Sequence, residues 1–259
     1  MRLSVTAGAL LGAAALLSAP VFARAEDQWG TVEGKVTFAG TPAQAEPVPA
    51  NVDKDQAVCL KNGPIMRQDY VVNPKNKGVK WAVVWLVDAN DPKAAIPIHP
   101  DLKDIKEKKV VLDQPCCLFE PHIICLREGQ TLEVKNSGTI PHNTKIDSPD
   151  PNPSLNPLIP AGGSTDIDGW KSVTSPPWQI SCSIHGWMTA WIRVFANPYF
   201  AVTDEDGHYK IEKAPAGKFH IIAWQESVGW LNKGFKKGEP VDIKPDGVTE
   251  VNFEVKPKP

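Results

Sequence analysis

Three donor atoms follow one another at a spacing of three in Cys182-Ser-Ile-His185-Gly-Trp-Met188: a thiol, an imidazole and a thioether. A tight loop between a strand ending at Cys182 and one starting near Ala190 can turn all three inward. A second imidazole stands upstream in Asn136-Ser-Gly-Thr-Ile-Pro-His142-Asn143, just after an expected strand end. Two His, one Cys and a weak axial Met are the donors of a trigonal, electron-transfer copper site. Zinc also accepts two His and a Cys, but Met is a poor zinc ligand and the thioether favours copper. In the competing reading Cys182 is a disulfide partner and the two histidines are ordinary polar residues. The order and spacing of four donors outweigh it.

Such a loop has to be hung between strands, and the chain supplies them. Helical periodicity is almost absent, while short alternating or apolar runs bounded by Gly, Pro, Asn and Asp recur, among 25 Pro and 19 Gly. The class is all-β. Strands are expected over 30–38, 80–87, 123–126, 130–136, 178–182, 190–195, 208–211, 218–225 and 249–255, a spacing that suggests sandwiches. Residues 113–197 contain all four donors and read as one domain. The run from Val202 to Ile211, with Asp206-Gly207 at its centre, looks like a hairpin. Residues 41–79 are rich in Pro, Asn, Asp and Lys and read as a loop anchored by Cys59, through a disulfide to Cys116 or Cys117.

The first 25 residues have a secretory layout: Arg2, an apolar run from Val5 to Leu17, then Ala23-Arg24-Ala25. The mature chain is expected to start after them and to be periplasmic or secreted. No later stretch approaches the ~20 apolar residues of a membrane span. Loss of Arg2 and Arg24 moves the formal charge from −2 to −4, a mild acidity that argues against nucleic acid as a partner. Five cysteines in an oxidising compartment leave one thiol over, and metal ligation by Cys182 would employ it.

At these residues the chain resembles the cupredoxins, the small blue copper proteins. Pro141-His142-Asn143 corresponds to the family's first-ligand motif, and Cys182-x-x-His185-x-x-Met188 to its second. The short loop is most like that of amicyanin, and 127–147 is similar to plastocyanin. The resemblance implies a Greek-key β-sandwich over 113–197 holding one copper ion, cycling between Cu(I) and Cu(II), on His142, Cys182, His185 and Met188. It also implies that Asn143 braces the ligand loops, that His185 is the surface port for electrons and that Trp187 belongs to a docking patch. Residues 26–112 together with 198–259 resemble a transthyretin-like sandwich, the carboxypeptidase regulatory-like domain, into which the copper domain would be inserted.

The function expected is one-electron transfer with a partner such as a cytochrome or oxidoreductase. A copper-handling or polysaccharide-binding module without redox turnover is the alternative. No Ser–His–acid arrangement, phosphate-binding glycine loop or zinc-protease motif is present, so an enzyme is not expected. His122, in Glu120-Pro-His122, is a structural histidine or else a fifth ligand. Of the nine tryptophans, Trp81, Trp85 and Trp224 read as sandwich core, whereas Trp170, Trp178, Trp187 and Trp191 surround the metal motif in sequence.

Overall fold

Consecutive side chains of a strand point to opposite faces, so a strand apolar at every position must be covered on both sides. Val83–Asp88 is such a strand up to its last residue: Val84 and Leu86 enter one core, and Val83, Trp85 and Val87 enter another. The computed structural model describes residues 28–41 and 48–256. The expected leader, 1–25, lies outside them.

In chain order the strands are β1 (Trp29–Phe38), β2 (Val83–Asp88), β3 (Lys109–Leu112), β4 (Ile123–Arg127), β5 (Thr131–Lys135) and β6 (His142–Asn143). Next come β7 (Lys145–Ile146), β8 (Leu158–Ile159), β9 (Ser164–Ile167), β10 (Trp178–Ser181), β11 (Thr189–Phe195) and β12 (Phe200–Val202). The last are β13 (His208–Pro215), β14 (Gly217–Gln225), β15 (Gly229–Trp230), β16 (Glu239–Ile243), β17 (Val248–Glu250) and β18 (Phe253–Val255). Two single-turn helices, α1 (Gln56–Cys59) and α2 (Pro100–Lys103), interrupt the loops. The fold is all-β. Among the described residues no helix is long and apolar enough to cross a membrane.

One pair of sheets encloses the first core. β1 lies between β13 and the parallel strands β17 and β18, facing the sheet β12-β2-β14-β15 with β16 beside β14. Val32, Val36 and Phe38 meet Val84, Leu86, Ile221 and Ala223 between them. The second core lies between the sheets β4-β11-β10-β7 and β3-β5-β9. It collects Ile124, Leu126, Leu132, Val134, Ile180, Ile192 and Val194, and also Val52, Cys59 and Ile65 from the loop before β2. A third cluster joins the two: Val83, Trp85, Val87, Ile222 and Trp224 pack on Ile123 and Phe195.

The expected hairpin around Asp206-Gly207 is a turn without a hairpin. Asp204 Oδ1 accepts from the N–H groups of Asp206 (2.9 Å) and His208 (2.8 Å), but β12 pairs with β2 while β13 pairs with β1. The turn is therefore a corner that carries the chain from one sheet of the sandwich to the other. One disulfide forms, Cys59–Cys117, whereas Cys116, Cys125 and Cys182 are free. This picks Cys117 from the two expected partners and staples the 48–69 loop over the second core.

Candidate metal centre

The β10–β11 hairpin carries the ligand loop. Its register runs to Ser181↔Thr189, and the loop is closed by Cys182 N–H donating to the Met188 carbonyl (3.2 Å) and Met188 N–H donating to that of His185 (2.9 Å). The last turn before β6 is shaped by Asn136. Its amide donates to the carbonyls of Ile140 (2.9 Å) and Ile159 (3.0 Å), and its oxygen accepts from Gly138 N–H (3.0 Å). Next to His142, Asn143 ties the two pieces together. Its oxygen accepts from Ser183 N–H (2.8 Å), Ile184 N–H (3.3 Å) and the Cys182 thiol (3.3 Å). The amide of Asn143 donates to Ser183 Oγ (3.2 Å) and to Asn156 Oδ1.

These contacts bring His142, Cys182 and His185 together, with one donor atom of each lying within 4.8 Å of the others. The two imidazoles face each other nitrogen to nitrogen, Nδ1 to Nδ1, at 2.9 Å, and the Cys182 sulfur lies 3.9 Å from His185 Nδ1. His142, His185 and Met188 are fully buried and Cys182 is 3% exposed. Burial, followed by the neighbouring His185, pushes the His142 imidazole down to about 4, so at neutral pH it is an uncharged base with a lone pair to give.

A residue the sequence did not point to completes the group. Asp55, in the loop stapled by Cys59–Cys117, accepts a hydrogen bond from His185 Nε2 at 2.9 Å. A carboxylate only accepts, so His185 Nε2 carries a proton, and in the neutral ring the Nδ1 lone pair is turned toward His142 Nδ1. Either a proton on His142 Nδ1 or a cation must then occupy the space between the rings. His142 Nε2 is buried without a partner among the described residues.

His185 is thus not a surface port. Its edge is covered by Asp55, whose own side chain is half exposed. Trp187 is half-buried, lies 5.0 Å from the His185 ring and donates its indole N–H to the Cys117 carbonyl (3.1 Å). The covering loop explains both: Ala50 N–H to Ile65 C=O (2.8 Å) and Arg67 N–H to Val48 C=O (2.9 Å) fold it back on itself, and its apolar residues join the second core. His122 stands apart from the three-donor group. Its Nδ1 faces the Thr189 carbonyl (3.1 Å) and its Nε2 faces Glu226, which also accepts from Trp191 Nε1 (2.5 Å).

No protein-family model and no curated protein matches the chain. Solved structures do. It is similar to a Cu-containing nitrite reductase from Thermus scotoductus SA-01, at 19% identity and TM-score 0.31, over 39% of this chain and 27% of that one. The alignment thus spans about a quarter of the reductase. It is similar to an oxidised amicyanin variant at 16% identity and TM-score 0.31, over 36% of this chain and 87% of that one. It is also similar to a purple cupredoxin from Nitrosopumilus maritimus at 15% identity and TM-score 0.28, over 33% and 99%.

Proposed function

We propose that this is an exported protein that holds one copper ion on His142, Cys182, His185 and Met188 and uses it for one-electron transfer. The observation that carries the proposal is the convergence of two imidazole nitrogens and a thiol in one buried pocket. Soft sulfur together with imidazole selects copper over hard cations. When bound, copper supplies a one-electron couple between Cu(I) and Cu(II). The chain's own residues do the rest. Asp55 sets the His185 tautomer, burial keeps His142 neutral, Asn143 holds both loops in register through Ser183 and Ile184, and the covering loop excludes water.

We further propose that residues 113–197 form a Greek-key cupredoxin domain inserted in a transthyretin-like sandwich made of 26–112 and 198–259. The leader-like first 25 residues and the Cys59–Cys117 disulfide support a periplasmic or secreted location. A protein redox partner fits this reading, and no substrate turnover is expected of it. The second reading, a copper-handling module, is favoured by the burial of His185 beneath Asp55, since an ion kept as cargo needs no open edge. Surface polysaccharide would then be a candidate ligand of the flanking sandwich.

The test is the visible and electron paramagnetic resonance spectrum of the copper-loaded mature chain beside Cys182→Ser. An intense thiolate-to-copper charge-transfer band with narrow hyperfine splitting, absent in the variant, is expected. Stoichiometric copper without that band would remove Cys182 from the ligand set. Voltammetry separates the two readings, because electron transfer requires a fast reversible couple and cargo does not.

A further inference from the structure

β11 has two faces. Ala190, Ile192 and Val194 enter the second core, whereas Trp191, Arg193 and Phe195 turn toward the other sandwich. Arg193 brings a cation to this apolar junction and is 6% exposed. Its guanidinium carbon lies 4.3 Å from the Trp85 ring centroid and 5.0 Å from that of Phe195. Burial lowers its pKa only to about 10, so it stays charged at neutral pH. The titratable group that acts on it is its cross-strand partner Cys125, whose thiol burial pushes up to about 12 and therefore leaves neutral.

A buried cation without a counter-charge is costly, and ring faces offset only part of that cost. The guanidinium donates through Nη1 to the Ser175 carbonyl. Its Nε, and the indole N–H of Trp85 beside it, are buried with no partner among the described residues. Arg193 and Trp85 line a cavity of about 670 Å³ between the sandwiches, whose walls also include Phe195, Trp230, Ile96 and Ile222. Lys93 and Lys236 add positive charge to the lining. Its one carboxylate, Glu128, accepts from Ser172 N–H at 2.7 Å. A cavity of this size that sets a buried cation and unpaired N–H donors against aromatic walls, with a mixed polar and apolar lining, has the character of a small-molecule site.

We propose that this cavity binds a small organic carboxylate, with its anion on the Arg193 guanidinium and its apolar body against Trp85, Phe195 and Trp230. The planar fork of arginine matches a carboxylate, and the aromatic walls select an organic anion over a hydrated inorganic one. Nothing in this assignment depends on copper.

The test uses the full chain labelled at tryptophan, with the Trp85 indole resonance assigned through Trp85→Phe, and titrates it with benzoate, benzamide and inorganic phosphate. Benzoate is expected to shift that resonance saturably, with affinity at least about tenfold above that of benzamide, the worth of one charge-assisted contact. Phosphate is expected to leave it in place. Arg193→Gln should weaken benzoate by a similar factor while the other indole resonances stay put. Whether or not that variant folds, nuclear Overhauser contacts from the benzoate ring to Trp85 and Trp230 in the unsubstituted chain locate the ligand independently. Equal affinity for benzoate and benzamide, an equal response to phosphate, no saturable shift, or contacts elsewhere would each overturn the proposal.

Discussion

Asp55 and His185 are 130 residues apart in the chain and 2.9 Å apart in space. Removing an outer hydrogen-bond partner of a metal-binding histidine costs about 10–100-fold in metal affinity. Asp55→Ala should therefore weaken copper binding by that factor in a chelator competition, with Asp55→Asn in between. Unchanged affinity in both variants would make the contact incidental. The donor types and order are readable in the sequence because ligand chemistry resides in the side chains themselves. Asp55 is not readable, since its role depends on which loop lies over the His185 edge, and Cys59 four residues on was the one hint of a staple nearby. The same ignorance of the cover led to the expectation of an exposed His185.

Among the elements, strands with apolar alternation could be read within a residue or two: β1, β4, β5, β10, β11 and β14. The shortest ones could not. β9 is Ser-Thr-Asp-Ile, and β7 and β8 are two-residue pairings fixed by their partners. β2 starts three residues later than its composition suggests because Trp81 adopts φ 68°, outside the extended region that regular strand pairing uses. The expected strand 249–255 is split into β17 and β18. At the split the chain crosses Gly34, where a Cβ would lie 1.8 Å from the Val251 carbonyl oxygen, so Gly34→Ala would force the strands apart. The loop between β5 and β6 is pinned by Asp113, whose carboxylate accepts from Gln114 N–H (2.7 Å), Ser137 N–H (2.9 Å) and Ser137 Oγ (2.8 Å). Burial alone would raise its pKa, but these bonds and Lys135 hold it below the ordinary value. The stability this gives is fully present above about pH 3.9, the unfolded value, and is lost as pH falls through the lower folded one. Denaturant midpoints at pH 5 and pH 3 should accordingly differ more in the wild type than in Asp113→Asn. An equal pH response in the two chains would assign the acid sensitivity to other groups.

At the scale of the whole molecule, the third cluster couples the two sandwiches. Phe195 is 4% exposed and stacks on Phe200 at 4.2 Å between ring centroids. Truncation of such a residue costs about 3–5 kcal/mol. Phe195→Ala should lower the thermal midpoint of a single calorimetric transition. Two resolved transitions in the unsubstituted chain would mean that the junction does not couple the halves. Strand spacing pointed to sandwiches, and two cores are present; the junction between them was not legible, because an apolar residue does not reveal which of two cores it joins. The stapled loop over His185 also bears on time. With the proposed donor residues at most 3% exposed, an ion seated there would leave only when the loop lifts, so its residence would be bounded by the frequency of that opening and not by the strength of the bonds alone. For the proposed copper site, loading would then be easiest while the chain is still assembling, before Cys59 and Cys117 are joined, and the oxidation of that pair would work as a latch that turns a reversible equilibrium into long-term retention.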